Sequence, residues 1–158
     1  MGLHCNARGC HNTGWCKQTG RHFCNICKSR NSDHRRTECP FWVTGQGMRT
    51  LYHQTDAPSA AAIGQSGEML PGSGGSLGGA NYFAPDIPTT DRLAHRKGYV
   101  VTAQVFLGKQ KMISSQQATQ HTFESLRREG YDSVFVQDRN EYAVFHKDHV
   151  KIMSVARR

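Results

Sequence analysis

A chain of 158 residues has the length of one domain, or of one domain with a small module attached. No apolar run is long enough to span a bilayer and no charged-then-apolar leader opens the chain. These features lead to the expectation of an intracellular protein, cytoplasmic or nuclear, with no membrane partner.

The formal charge of +8 is uneven. Residues 1–47 hold 7 Lys/Arg and 2 Asp/Glu, a net of +5, and the remainder hold 13 and 10, a net of +3. The excess is concentrated where the cysteines are, which favours an anionic partner such as nucleic acid.

All six cysteines fall between Cys5 and Cys39. In a reducing compartment such a cluster points to metal ligands before disulfides. Cys24 and Cys27 form a two-spaced knuckle, and His34 and Cys39 complete a Cys3His zinc set. Upstream, Cys5, Cys10 and Cys16 supply three more ligands. His22 is the best-placed fourth, with His4 and His11 competing for the role. Two sequential zinc ions satisfy this inventory, and so does a cross-braced pairing of Cys5 and Cys10 with Cys24 and Cys27. Few Leu, Ile or Val occur here, so metal must replace an apolar core. Arg35, Arg36 and five further cations are interleaved with Trp15 and Phe23, a composition suited to phosphate contact and base stacking. A protein-recruiting finger has the same composition. Residues 1–42 are therefore expected to form a zinc-binding module, joined through Val43–Gly47 to a second domain at 48–158.

The second domain opens with a predicted strand over Arg49–Thr55. Asp56 is a good N-cap for a helix with Pro58 early and Ser59–Ile63 inside, ended by Gly64 and Gly67. The glycine density of Pro71–Gly79 points to a loop with positive-φ positions or to a backbone that approaches something closely, rather than to a flexible linker, because a predicted strand over Asn81–Ala84 follows directly. A short helix is expected over Asp86–His95. Gly98–Leu107 is the clearest strand, with Lys111-Met112-Ile113 as its continuation past Gly108. A helix is predicted from Gln116 to Glu129, with Gly130 as its stop. Strands over Ser133–Gln137, Glu141–His146 and Val150–Val155 follow at hairpin-length spacing. That order argues for an α+β fold over a doubly wound one.

Three stretches of this domain resemble the catalytic domain of the poly(ADP-ribose) polymerase-like ADP-ribosyltransferases, the class marked by a histidine, a tyrosine and a glutamate. They are Leu51-Tyr52-His53-Gln54-Thr55, Gly78-Gly79-Ala80-Asn81-Tyr82-Phe83-Ala84 and Asn140-Glu141-Tyr142-Ala143-Val144-Phe145. The resemblance covers Met48 to the C-terminus. It implies an ADP-ribosyltransferase fold of short, mostly antiparallel strands with flanking helices. It also implies NAD as substrate, release of nicotinamide, and transfer of ADP-ribose to a protein or nucleic-acid acceptor. The glutamate leaves chain elongation open, while the small size and the lack of a family-like acceptor helix region favour single transfer. Glu141, His53 and Tyr82 would be the catalytic set. His53 would hydrogen-bond the adenosine ribose, and the backbone of Gln54 would hold the nicotinamide amide beside Thr55. Tyr82 would stack on the nicotinamide ring, Thr90 would bind its amide, and Glu141 would contact the ribose hydroxyls next to the bond that breaks. Gln54 stands where the family often has glycine, and a second tyrosine of the family is missing near Leu93.

The chemistry of these residue types agrees with the implied roles. Breaking the nicotinamide–ribose bond builds positive charge on the sugar, which a fixed carboxylate stabilises. The departing ring needs an aromatic wall and amide hydrogen bonds to orient it. Two other readings use the same residues: a zinc-finger adaptor that binds NAD or ADP-ribose without turnover, and an NAD glycohydrolase with water as acceptor.

Overall fold

The computed structural model describes residues 40–45, 47–69 and 80–158. The eight candidate zinc ligands and the glycine-rich Pro71–Gly79 stretch lie outside the described residues. The chain divides into two compact units, Met1–Met48 and Arg49–Arg158. Of the first unit, one short helix is described, α1 (Pro40–Thr44). Val43 and Thr44, expected in a linker, complete this helix, and Gly45 follows it at φ +75°.

The second unit is α+β with mostly antiparallel strands. Its first strand, β1, runs Met48–Thr55. Asp56 caps α2 (Ala57–Ser66) by accepting a hydrogen bond from the Ser59 N–H at 3.0 Å. Gly64, expected to stop this helix, lies inside it. The stop is Gly67, whose left-handed φ of +69° lets its N–H reach the Ile63 carbonyl. Strand β2 (Asn81–Phe83) follows, then α3 (Ile87–Leu93), capped by Asp86 on the Thr89 N–H at 2.8 Å. Strand β3 spans Tyr99–Phe106 and β4 spans Gln110–Ile113.

The helix expected over Gln116–Glu129 is two helices, α4 (Ser115–Ala118) and α5 (Phe123–Arg128). Each has its own capping motif. Ser114 and Gln117 form a capping box that starts α4. Four residues after Ala118, the Thr122 hydroxyl accepts from the Ser125 N–H at 3.1 Å and starts α5. The threonines favour these local bonds over continued helix. Strands β5 (Ser133–Val136), β6 (Glu141–Val144) and β7 (Val150–Arg157) close the chain, with a 3-10 turn over Lys147–His149 before β7.

The strands form two sheets, ordered β1-β3-β7 and β2-β6-β5-β4. Lys111-Met112-Ile113 therefore does not continue β3. Gly108, at φ +52°, turns the chain so that β4 joins the second sheet parallel to β5. A Cβ at Gly108 would fall 2.2 Å from the Asp132 carboxylate, so this turn requires glycine. The β5–β6 connection is the expected hairpin. The β6–β7 connection is not, because β7 crosses to the first sheet and pairs with β3 antiparallel.

Strand β6 is buried at all four positions because both of its faces are covered. Tyr142 and Val144 join Leu51, Phe83, Val101, Val105 and Val150 in a core shared by the two sheets. Ala143 and the following Phe145 join Val134, Val136 and the helical residues Ala118 and Leu126 in a second core. At one point the sheets are also bonded. Tyr52 and Ala84 exchange two backbone hydrogen bonds, at 2.9 and 2.7 Å, and this bridge carries the end of β1 against the end of β2.

Candidate active site

The Tyr52–Ala84 bridge sets the geometry of a cavity of about 820 Å³. Small-molecule and cofactor sites occupy about 300–1,000 Å³. Its walls come from the end of β1, the outer face of α2, strand β2, helix α3 with the residues after it, and the β5–β6 hairpin. His53, Gln54, Thr55, Tyr82, Thr90 and Glu141 all line it. The structure thus brings together the six residues picked from the second domain. The candidate zinc ligands lie outside the described residues, and among the described residues no three His, Cys, Asp or Glu are grouped to hold a metal.

His53 is half-buried, with its ring edge-on to Phe83 at 6.0 Å. Its Nδ1 lies 2.7 Å from the Tyr82 carbonyl oxygen. A carbonyl can only accept, so Nδ1 carries the proton and donates it. Burial lowers the pKa of His53 below its ordinary value, and the Tyr82 carbonyl opposes this less strongly. The ring is therefore neutral at pH 7 and leaves Nε2 as a bare acceptor. A sugar hydroxyl is a matching donor.

Gln54 is 5 % exposed, and its side-chain amide is spent inside the fold. Nε2 donates to the Thr90 hydroxyl at 2.9 Å and to the Asp91 carboxylate at 2.6 Å, while Oε1 accepts from the Gly98 N–H at 3.3 Å. The side chain that replaces a glycine thus ties β1 to α3 and to the start of β3. Only the Gln54 backbone is left for a ligand. Thr90 is similarly committed. Its hydroxyl donates to the Ile87 carbonyl at 2.5 Å and accepts from Gln54, so toward a ligand it can only accept. The Asp91 carboxylate, bonded to Arg158 and Gln54, is held down at a pKa of about 2.

Tyr82 alternates with buried Asn81 and Phe83 on β2. Its half-buried ring packs on the second core and borders the cavity. Glu141, the first residue of β6, is 8 % exposed. Burial raises its pKa, and Arg139, His95 and Arg92, in that order, pull it back. The Arg139 Nε donates to Glu141 Oε1 at 3.2 Å.

Arg139 and His95 also line the cavity, and the sequence reading passed over both. A signal for Arg139 was present. A carboxylate assigned to a buried strand position needs a cation, and Arg139 is two residues away. Leu93 lines the cavity as well, so its wall there is aliphatic. No protein-family model matches this chain, and no curated protein matches it.

Proposed function

We propose that the second unit is an NAD-dependent ADP-ribosyltransferase of the His-Tyr-Glu class, with the corresponding fold. One observation carries the reading. His53, Tyr82 and Glu141, far apart in the chain, border a single cavity, each in a state suited to its role. His53 is neutral, with Nε2 free to accept from a ribose hydroxyl. Tyr82 presents an aromatic wall. Thr90 and the backbone of Gln54 flank a position for a carboxamide, whose N–H Thr90 would accept. Glu141 offers a carboxylate in a partly dry site, where its field on a developing cation is least screened.

In the proposed reaction the ribose C1–nitrogen bond breaks and its electron pair leaves with nicotinamide. Positive charge spreads over C1 and the ring oxygen of the sugar. Glu141 stabilises that charge by hydrogen-bonding the adjacent hydroxyls. The acceptor then bonds to C1, and an acceptor that arrives protonated loses its proton. The walls made by β1 and β2 hold the two halves of the substrate so that the bond lies beside Glu141.

The first unit is proposed to be a zinc-binding targeting module. Cys5, Cys10, Cys16 and His22 would hold one ion and Cys24, Cys27, His34 and Cys39 the other. Its basic residues would recruit a nucleic acid or a protein acceptor. The test follows the fate of NAD labelled in its adenylate. Label entering a macromolecule supports the transferase. Label recovered as free ADP-ribose identifies a glycohydrolase. Label remaining in bound, intact NAD identifies an adaptor.

A further inference from the structure

We infer that Arg139 is a positioning residue for Glu141: its guanidinium grips one carboxylate oxygen and leaves the other presented, charged, to the cavity. The consequence for turnover rests on the transferase reading; the carboxylate's state does not.

The hairpin between β5 and β6 is built to place this arginine. Four residues, 137–140, connect Val136 to its register partner Glu141. Asn140 takes the left-handed φ of +53° that closes the turn, a conformation asparagine adopts more readily than most residues. The Arg139 N–H donates to the Val136 carbonyl at 3.2 Å, and the Arg139 carbonyl accepts from the Arg92 guanidinium at 3.3 Å. Asp138 accepts from the Ser115 N–H at 2.7 Å, which pins the tip to α4. The Arg139 backbone is thus held by two bonds, and its neighbour Asp138 by a third, while its side chain reaches back along the hairpin to Glu141.

Only Oε1 of Glu141 is engaged, at 3.2 Å. Oε2 has no hydrogen-bond partner among the described residues, so a ribose hydroxyl could bind it without displacing Arg139. The other groups that act on this carboxylate are His95, just beyond α3, and Arg92 on α3, both more weakly than Arg139. Opposite Glu141 on β5 stands Val136, whose apolar side chain offers neither charge nor hydrogen bond. Burial alone favours the protonated acid, which cannot stabilise a cation. Arg139 is the nearest group that opposes it. At 40 % side-chain exposure it can be truncated without opening a cavity in the core.

The experiment is a carbon-13 carboxyl titration of the full chain, with the Glu141 signal assigned by its loss in Glu141→Gln. It is run on wild type, Arg139→Gln and Arg139→Lys, beside the pH profile of nicotinamide release. Arg139→Gln should raise the Glu141 pKa by about one unit, the low end of the effect of an opposite charge at this range. The acid limb of the profile should move to higher pH by the same amount, and Arg139→Lys should restore most of both. Arg139→Ala is a second neutral variant with the same expectation if the glutamine variant misfolds. A Glu141 signal that titrates unchanged in the neutral variants overturns the inference, even if their activity falls. A wild type that never releases nicotinamide, but whose carboxyl shifts on loss of Arg139, overturns the transferase reading and leaves this one standing.

Discussion

The wall that β1 gives the cavity and the wall that the β5–β6 hairpin gives it hold their titratable groups by different means. On β1, His53 meets a backbone carbonyl at 2.7 Å, and burial makes it neutral. On the hairpin, Glu141 meets a guanidinium at 3.2 Å, which opposes the burial that would neutralise it. The same loss of water thus produces a fixed neutral tautomer on one side and a charge in need of support on the other. A dipole of the main chain suffices to orient a neutral ring, whereas a buried carboxylate needs a full opposite charge. The β1 wall is set by the fold alone; the hairpin wall depends on one partly exposed side chain.

Both walls hang from the junction at Phe83, so the largest effect should come there. Phe83 is 1 % exposed in the core the two sheets share. Phe83→Ala should cost about 3–5 kcal/mol, read by chemical denaturation, and should disturb both walls together. A loss under 1 kcal/mol would mean the sheets do not depend on this packing. Gln54→Ala should damage the β1 wall selectively. It leaves the Gly98 N–H without its acceptor and removes the donor to the Thr90 hydroxyl, which keeps only its bond to the Ile87 carbonyl, at about 1–3 kcal/mol. The acid limb set by Glu141 should not move, and if it does the walls are not independent.

Smaller effects come from the titrating groups themselves. The folded pKa of His53 is lowered from about 6.5. Its contribution to stability is therefore present above about pH 6.5 and lost as pH falls through the lowered folded value. Proton NMR should find a histidine signal that titrates below pH 6.5 and that disappears in His53→Ala. Glu141 has the opposite sign. Its folded pKa is raised, so its contribution is present below the unfolded value and lost as pH rises through the folded one. Glu141→Gln should accordingly melt slightly higher than wild type at pH 7. A lower melting temperature would show that the ion pair with Arg139 stabilises the fold after all.

The sequence made the local parts of this arrangement legible. Asp56 announces its helix because a cap is a contact three residues long; Asp86, expected as the first residue of its helix, is the cap just outside it. The strands bearing His53, Tyr82 and Glu141 are legible from residue types within each segment. What escaped depends on distant pairing. Lys111–Ile113 has the composition of a strand, but its sheet is decided by the turn at Gly108 against Asp132. The Gln116–Glu129 segment has a helical apolar face, yet Ser114 and Thr122 start two separate helices. Gln54 was legible only as a departure from a glycine, because its three partners lie 36 to 44 residues away. The β7 crossover could not be seen at all, because a short connection is common to hairpins and to sheet changes.

The central claim is that Glu141 acts on charge that appears as the nicotinamide–ribose bond breaks. It is tested most directly by measuring nicotinamide release and NAD affinity together in Glu141→Gln and His53→Ala. Glu141→Gln should lower the rate about 10²–10³-fold, roughly 3–4 kcal/mol, with NAD affinity little changed. His53→Ala should mainly weaken NAD binding. If Glu141→Gln releases nicotinamide at the wild-type rate, Glu141 is not the catalytic carboxylate and the account is wrong.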